Sequence, residues 1–168
     1  MQSPVLSMYV FIVALGLCVM YFVFSYCLAR FFQWENPKFT MRQSVRSLGL
    51  IFLLASIVFI AMNIVEDRQI ANRIEHAFGG GFLAFMVCYL VARDMARPIT
   101  RFQFFVLSFL VVTALGVANE ILEFFAQEYF GVVLAKNLND TWLDLISNTI
   151  GAFIGAAAFV PLLKTKHP

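Results

Sequence analysis

Three short stretches hold the side chains in this sequence best placed to do chemistry together. Arg73 and His76 lie three residues apart, and Gly79-Gly80-Gly81 follow. Asn119 precedes Glu120, Glu123 and Gln127, whose i, i+3, i+7 spacing puts them on one stripe of a helix. Asp140, Asp144 and Asn148 follow i, i+4, i+8 spacing, and their stripe runs on into Gly151 and Gly155. A guanidinium, an imidazole, carboxamides and carboxylates can together hold a polar headgroup by hydrogen bonds. Arg73, His76, Asn119, Glu120, Glu123, Asp140, Asp144 and Asn148 therefore make up the candidate site. Within it His76, Glu120, Glu123, Asp140 and Asp144 offer one nitrogen and several oxygens. That set suits manganese, magnesium or calcium better than structural zinc, so a divalent cation is the cofactor to consider. The spacing matches neither HExxH nor a phosphatase signature. Ser147 falls off the Asp144 stripe, so no Ser or Cys nucleophile accompanies the histidine, and no catalytic residue is assigned. Binding of a polar lipid headgroup or an envelope precursor is the leading expectation. A metal-dependent membrane hydrolase or transferase and a cation- or proton-coupled small transporter are the alternatives.

The elements that must position these groups are membrane helices. The chain has 168 residues, 61% hydrophobic and 13% charged, with 20 phenylalanines. A typical soluble domain is about 45–50% apolar and about 25% charged. A chain this small could not bury such an excess, and its mean hydropathy of +0.83 excludes disorder as well. Lipid is the remaining solvent. A net charge of +2 without a clustered basic face gives no case for nucleic acid. Cys18, Cys27 and Cys88 sit in apolar runs and are expected to act as small buried apolar residues.

A spanning helix needs about 20 mostly apolar residues. Five candidates fit, over 5–29, 45–65, 72–92, 102–125 and 142–163, in one integral membrane domain with short connections. The first is expected to be retained, because Met1–Pro4 carry no Lys or Arg and no small-x-small site ends the run. Nine of the 12 Lys and Arg (Arg30, Lys38, Arg42, Arg46, Arg93, Arg97, Arg101, Lys164 and Lys166) fall on one side of such a bundle. Only Arg68, Arg73 and Lys136 fall on the other. The positive-inside rule then puts the amino terminus outside and the carboxyl terminus inside. On this reading the protein is an all-α, multi-pass bundle of five transmembrane helices, and the bilayer is its first partner.

Most acids lie toward the outside, Glu35 and Asp94 excepted. From Arg101 to Glu120 is about 28 Å of helix, which places Glu120 at or just beneath the outer boundary. His76, Asp144 and Asn148 reach a similar depth. Ionisable groups at that depth pair or line a cavity, so their convergence predicts a polar cavity opening outward. No inner-half acid is expected to continue it. Structural readings stand beside these. Glu66, Asp67, Arg68 and Glu128 read as solvated loop charges. Arg73 can pair with Glu75 or with an acid of the fourth helix. Gly151 and Gly155 form a GxxxG packing motif, and the aromatic run at 31–34 reads as an interfacial anchor. Asn139-Asp140-Thr141 is a chance sequon beside a span.

The same stripes carry a resemblance. Asn72-Arg73-Ile74-Glu75-His76-Ala77-Phe78 resembles the D-[KR]-x-x-H-F segment of VanZ-like membrane proteins. Asn119-Glu120-Ile121-Leu122-Glu123-Phe124-Phe125 is similar to the E-x-x-E-W-W segment of the YjdF-type inner-membrane proteins. Asn139-Asp140-Thr141-Trp142-Leu143-Asp144, Asn148 and Gly151-Ala152 resemble their D-T-x-x-D-x-x-x-[ND]-x-x-G-A. The three segments stand in the family's order from Asn72 to Gly155, with Asn72 in place of the usual acid. The resemblance implies a small multi-pass protein of the bacterial cytoplasmic (inner) membrane and cell envelope, with a shared outward polar site. It supplies no reaction.

Overall fold

The computed structural model describes residues 4–28, 30, 40–95, 99–131 and 138–164, with side chains 11–27 in the first stretch. Every regular element among them is helical. Helix α1 runs Pro4–Phe22 and continues as a π-helical stretch, Val23–Leu28. Helix α2 is Met41–Met62. Helix α3 is Arg68–Asp94, with a π-helical middle over Glu75–Leu83. Helix α4 is Arg101–Phe130 and α5 is Leu138–Phe159. Glu35, Lys38, Arg97, Lys136, Lys166 and the aromatic run at 31–34 lie outside the described residues.

Local chemistry sets the helix ends. Thr40 with Gln43 and Thr100 with Gln103 form capping boxes that start α2 and α4. Asp67 is not a plain loop charge: its carboxylate caps α3 by accepting from Gln69 N and Ile70 N. Arg68 accordingly opens α3. Helix α4 runs past its expected end because no breaker intervenes before Gly131, which closes it at φ +66°. Glu128 thus rides on a helix, exposed, and not on a loop.

Helices α2, α3, α4 and α5 are each long and apolar enough to cross a membrane. The apolar part of α1, Phe11–Cys27, is shorter. Helix α3 is the hub. Leu83, Ala84, Phe85, Met86, Val87 and Cys88 are buried in unbroken succession, as in a helix enclosed on all sides. Helix α5 packs most closely on its π-helical stretch, α4 packs on α5, and α1 packs on α2. The small residues explain the closeness of α3 and α5. A Cβ added at Gly151 would overlap the Ala77 backbone, and one at Gly155 would stand 2.8 Å from Phe85 Cβ. Outward faces are strongly apolar: Leu53, Ile60, Leu110, Ile146 and Phe153 are each more than half exposed. An apolar surface that continuous needs a nonpolar surround. The cysteines divide. Cys88 is buried and Cys18 half-buried, but Cys27 is exposed beside Tyr26, because the turn of α1 carries it to the outer face.

Candidate polar site between the helices

The N-terminal halves of α3 and α5 and the C-terminal half of α4 meet at one end of the bundle. Arg73, in the last regular α-turn before the π stretch, reaches across to α5. Its guanidinium pairs with both Asp140 and Asp144 and also donates to the Asp140 carbonyl at 3.1 Å. These two acids lie one turn apart on α5, facing Arg73; the sequence alone does not name that helix for its pairing. Asn72 donates to Asp144 Oδ1 at 3.0 Å. This carboxamide serves the Asp144 carboxylate as a donor, where an acid in its place would repel it.

His76, the first residue past Glu75 in the π stretch, stands between α4 and α5. Its Nε2 is 3.2 Å from Asp144 Oδ1, and its Nδ1 is 3.4 Å from Asn148 Nδ2 and 4.0 Å from Glu120 Oε1. The Asn148 contact fits the tautomer in which Nδ1 accepts and the proton is on Nε2, which faces Asp144 Oδ1. The 4.0 Å separation from Glu120 is too long for a hydrogen bond. One nitrogen or oxygen from each of His76, Glu120 and Asp144 lies within 4.8 Å of the others.

Glu120 is 8% exposed, and neither of its carboxylate oxygens has a hydrogen-bond partner among the described residues. Asn148 Oδ1 is likewise buried without a partner. Asn148 fills the space above two glycines: a Cβ at Gly80 would overlap its Oδ1, and one at Gly116 would come 3.2 Å from its Nδ2. Gly80 and Gly116 thus leave the room that this carboxamide occupies.

A cavity of about 340 Å³ opens beside these groups. One wall is polar, with His76, Asn148, Glu75, Asn119 and Glu123. The α1 and α2 side is apolar, from Val13, Leu17 and Met20 of α1 and Phe59 of α2, while Leu115 lies one turn below Asn119 on α4. Asn119 donates to Glu123 Oε1 at 2.7 Å along its own helix. The expected set is therefore brought to one end but not into one cluster. His76, Glu120, Asp144 and Asn148 converge. Asp140 is held by Arg73, Glu123 by Asn119, and Gln127 is exposed. Ser147 donates to the Leu143 carbonyl at 2.8 Å within α5.

The opposite end holds a buried acid of its own. Asp94, 3% exposed, accepts from Tyr21 at 2.7 Å and from Ser47 at 2.5 Å on Oδ2, and from Arg93 at 2.9 Å on Oδ1. Arg93 also donates to Ser47 at 2.9 Å. This network ties α1, α2 and α3 together. Nothing in the sequence paired a tyrosine and a serine in separate apolar runs with an acid that looks like a loop charge. The interruption of an apolar stripe by Ser44 and Ser47 was the one available signal.

Residues 48–165 match the model of a family described as "Predicted membrane protein (DUF2238)". The chain belongs to that family. The match covers most of α2 and all of α3, α4 and α5, so it takes in every residue of the converging cluster. No curated protein and no solved structure matches the chain. The family's description agrees with the lipid-facing surface: this is a helical membrane protein.

Proposed function

We propose that the protein binds the polar end of a membrane amphiphile, a lipid headgroup or an envelope precursor, in the cavity among α1, α3, α4 and α5. The observation that carries this reading is the two-sided lining of that cavity. His76, Asn148, Asn119 and Glu123 line it from α3, α5 and α4, while Val13, Leu17 and Met20 of α1 and Phe59 of α2 line it with apolar groups. A small polar solute has no use for the second wall, and a plain acyl chain has none for the first. Among the described residues α1 and α4 flank the cavity without extensive packing on each other. That leaves a lateral way in from lipid. Donation to the ligand falls to the Asn148 carboxamide, because Arg73 is spent on two carboxylates, the His76 proton faces Asp144 and Asn119 is spent on Glu123.

The wider setting belongs to the same proposal. The protein is VanZ-like, closest to the YjdF type, and lies in the cytoplasmic membrane of a bacterial cell envelope. It crosses five times with the amino terminus outside, so the cavity opens to the outer side. The excess of Lys and Arg at the Asp94 end supports this direction. A serine-nucleophile reading gains nothing, because Ser147 donates to its own helix backbone.

Purification in mild detergent followed by mass spectrometry of bound lipids tests the binding. One amphiphile class is expected to be enriched over bulk lipid in the wild type and depleted by Gly116→Leu, which fills the cavity floor. Recovery of nothing beyond bulk lipid from several membrane compositions would remove the reading.

A further inference from the structure

We propose that His76, Glu120 and Asp144 form a site for one divalent cation at the back of the cavity, with Asn148 beside it. Three observations carry this. The first is the orphaned carboxylate. Glu120 projects from a membrane helix with both oxygens buried and without a hydrogen-bond partner among the described residues. A buried ionised group in that setting needs a cation or a set of donors. The protein's nearest guanidinium, Arg73, is engaged by Asp140 and Asp144.

The second observation is spacing. His76 Nδ1 and Glu120 Oε1 are 4.0 Å apart. Two ligands about 2.1 Å from one ion stand at most about 4.2 Å apart, so the gap is too wide for a hydrogen bond and fits a shared ion. The third is Asn148 Oδ1, a second buried oxygen without a partner, on a residue that lines the cavity and sits within 3.4 Å of the same histidine nitrogen. Asp144 completes the set: one of its oxygens lies within 4.8 Å of a ring nitrogen of His76 and of a carboxylate oxygen of Glu120. The proton on Nε2 leaves Nδ1 with the lone pair, which a cation takes in place of the long, 3.4 Å contact from Asn148 Nδ2.

The inference deepens the binding proposal and rests on it for its consequence. A cation at this place supplies the positive charge that the cavity's own side chains do not, and selects an amphiphile with a phosphate- or carboxylate-bearing end.

Manganese is the probe. The full chain in detergent, stripped with EDTA, is titrated with Mn²⁺ and free Mn²⁺ is followed by electron paramagnetic resonance. One ion per chain is expected. Glu120→Gln and His76→Gln should each weaken binding at least tenfold, while Glu128→Gln, exposed on α4, leaves it unchanged. Absence of binding, or equal binding by wild type and Glu120→Gln, overturns the site. Should a variant fail to fold, the wild type still decides: its melting temperature must rise with Mn²⁺ and fall back with EDTA, and a flat response overturns the site. Bound lipid is measured on the same stripped sample. Loss of metal binding with lipid retained sinks the cation alone; metal binding without any enriched lipid sinks the amphiphile reading alone.

Discussion

Replacing Gly151 by alanine tests how the site is held. An ideal Cβ at this position lands 2.5 Å from the carbonyl carbon of Ala77, 2.9 Å from its Cα and closer still to its oxygen. Ordinary carbon contacts lie at about 3.5–4.0 Å, so α5 must back away from α3 by about 1 Å. Both partners are helix backbone, and no side chain can rotate out of the way. Alanine gains about 1 kcal/mol over glycine in a helix interior, while overpacking a tight core costs about 1–3 kcal/mol or more. A clash of backbone on methyl belongs at the upper end, so the net expectation is a loss of about 2 kcal/mol. Gly49→Ala is the control: its Cβ meets nothing within 4 Å. It should be neutral or gain up to about 1 kcal/mol. Equilibrium unfolding in mixed micelles, followed by far-ultraviolet circular dichroism, reads both. Ala77 adjoins His76, so the same shift should also weaken Mn²⁺ binding. If Gly151→Ala is as stable as Gly49→Ala, the helices do not meet as described and the account of the site fails with them.

Other perturbations separate the two ends. Asp144→Asn keeps an acceptor for Asn72 and Arg73 and should preserve folded yield, whereas Asp144→Ala leaves the guanidinium with Asp140 alone and should reduce yield; equal yields would contradict this. Arg73→Gln removes the charge facing an almost fully buried Asp144. Breaking a buried pair costs about 3–5 kcal/mol, less here because Arg73 is 23% exposed, and the loss reads as a lowered unfolding midpoint. At the other end Tyr21→Phe and Ser47→Ala each remove a donor from Asp94 Oδ2, about 1.5–3 kcal/mol apiece. Because they share one oxygen, the double variant should depart from the sum; strict additivity would deny the network. Reporter fusions at Gln33 and Lys136 should fall on opposite sides of the membrane, with an amino-terminal fusion on the Lys136 side.

Much of this was legible in the residues. Spacing placed Asp140, Asp144 and Asn148 on one face, and α5 carries them inward in graded fashion, Asp140 half-buried and the other two buried. The Gly151–Gly155 motif marked the face that α3 approaches. Across α3 the reckoning was poorer, because faces were counted at 3.6 residues per turn and the helix is π-helical for nine residues, Glu75–Leu83. That change of period governs where His76 points, and three glycines announced a departure without saying which.

The residues alone determined that the surroundings are lipid, since no other medium accepts so much apolar surface, and that the architecture is helical, since unbroken apolar runs of about 20 residues suit spanning helices and not the alternating strands of a barrel. What the residues could not decide was who pairs with whom. Arg73 had acids available on two helices, and only the packing of α5 against α3 made Asp140 and Asp144 its partners. Asp94 could be placed on the inner side, but its partners Tyr21 and Ser47 came only with the closing of α1 and α2 over it. Glu120 and Glu123 lie one turn apart with the same chemistry. One is buried beside His76 without a hydrogen-bond partner, the other answered by a neighbour on its own helix. Partnership depends on distances between segments remote in the chain, and those exist only once the helices have packed.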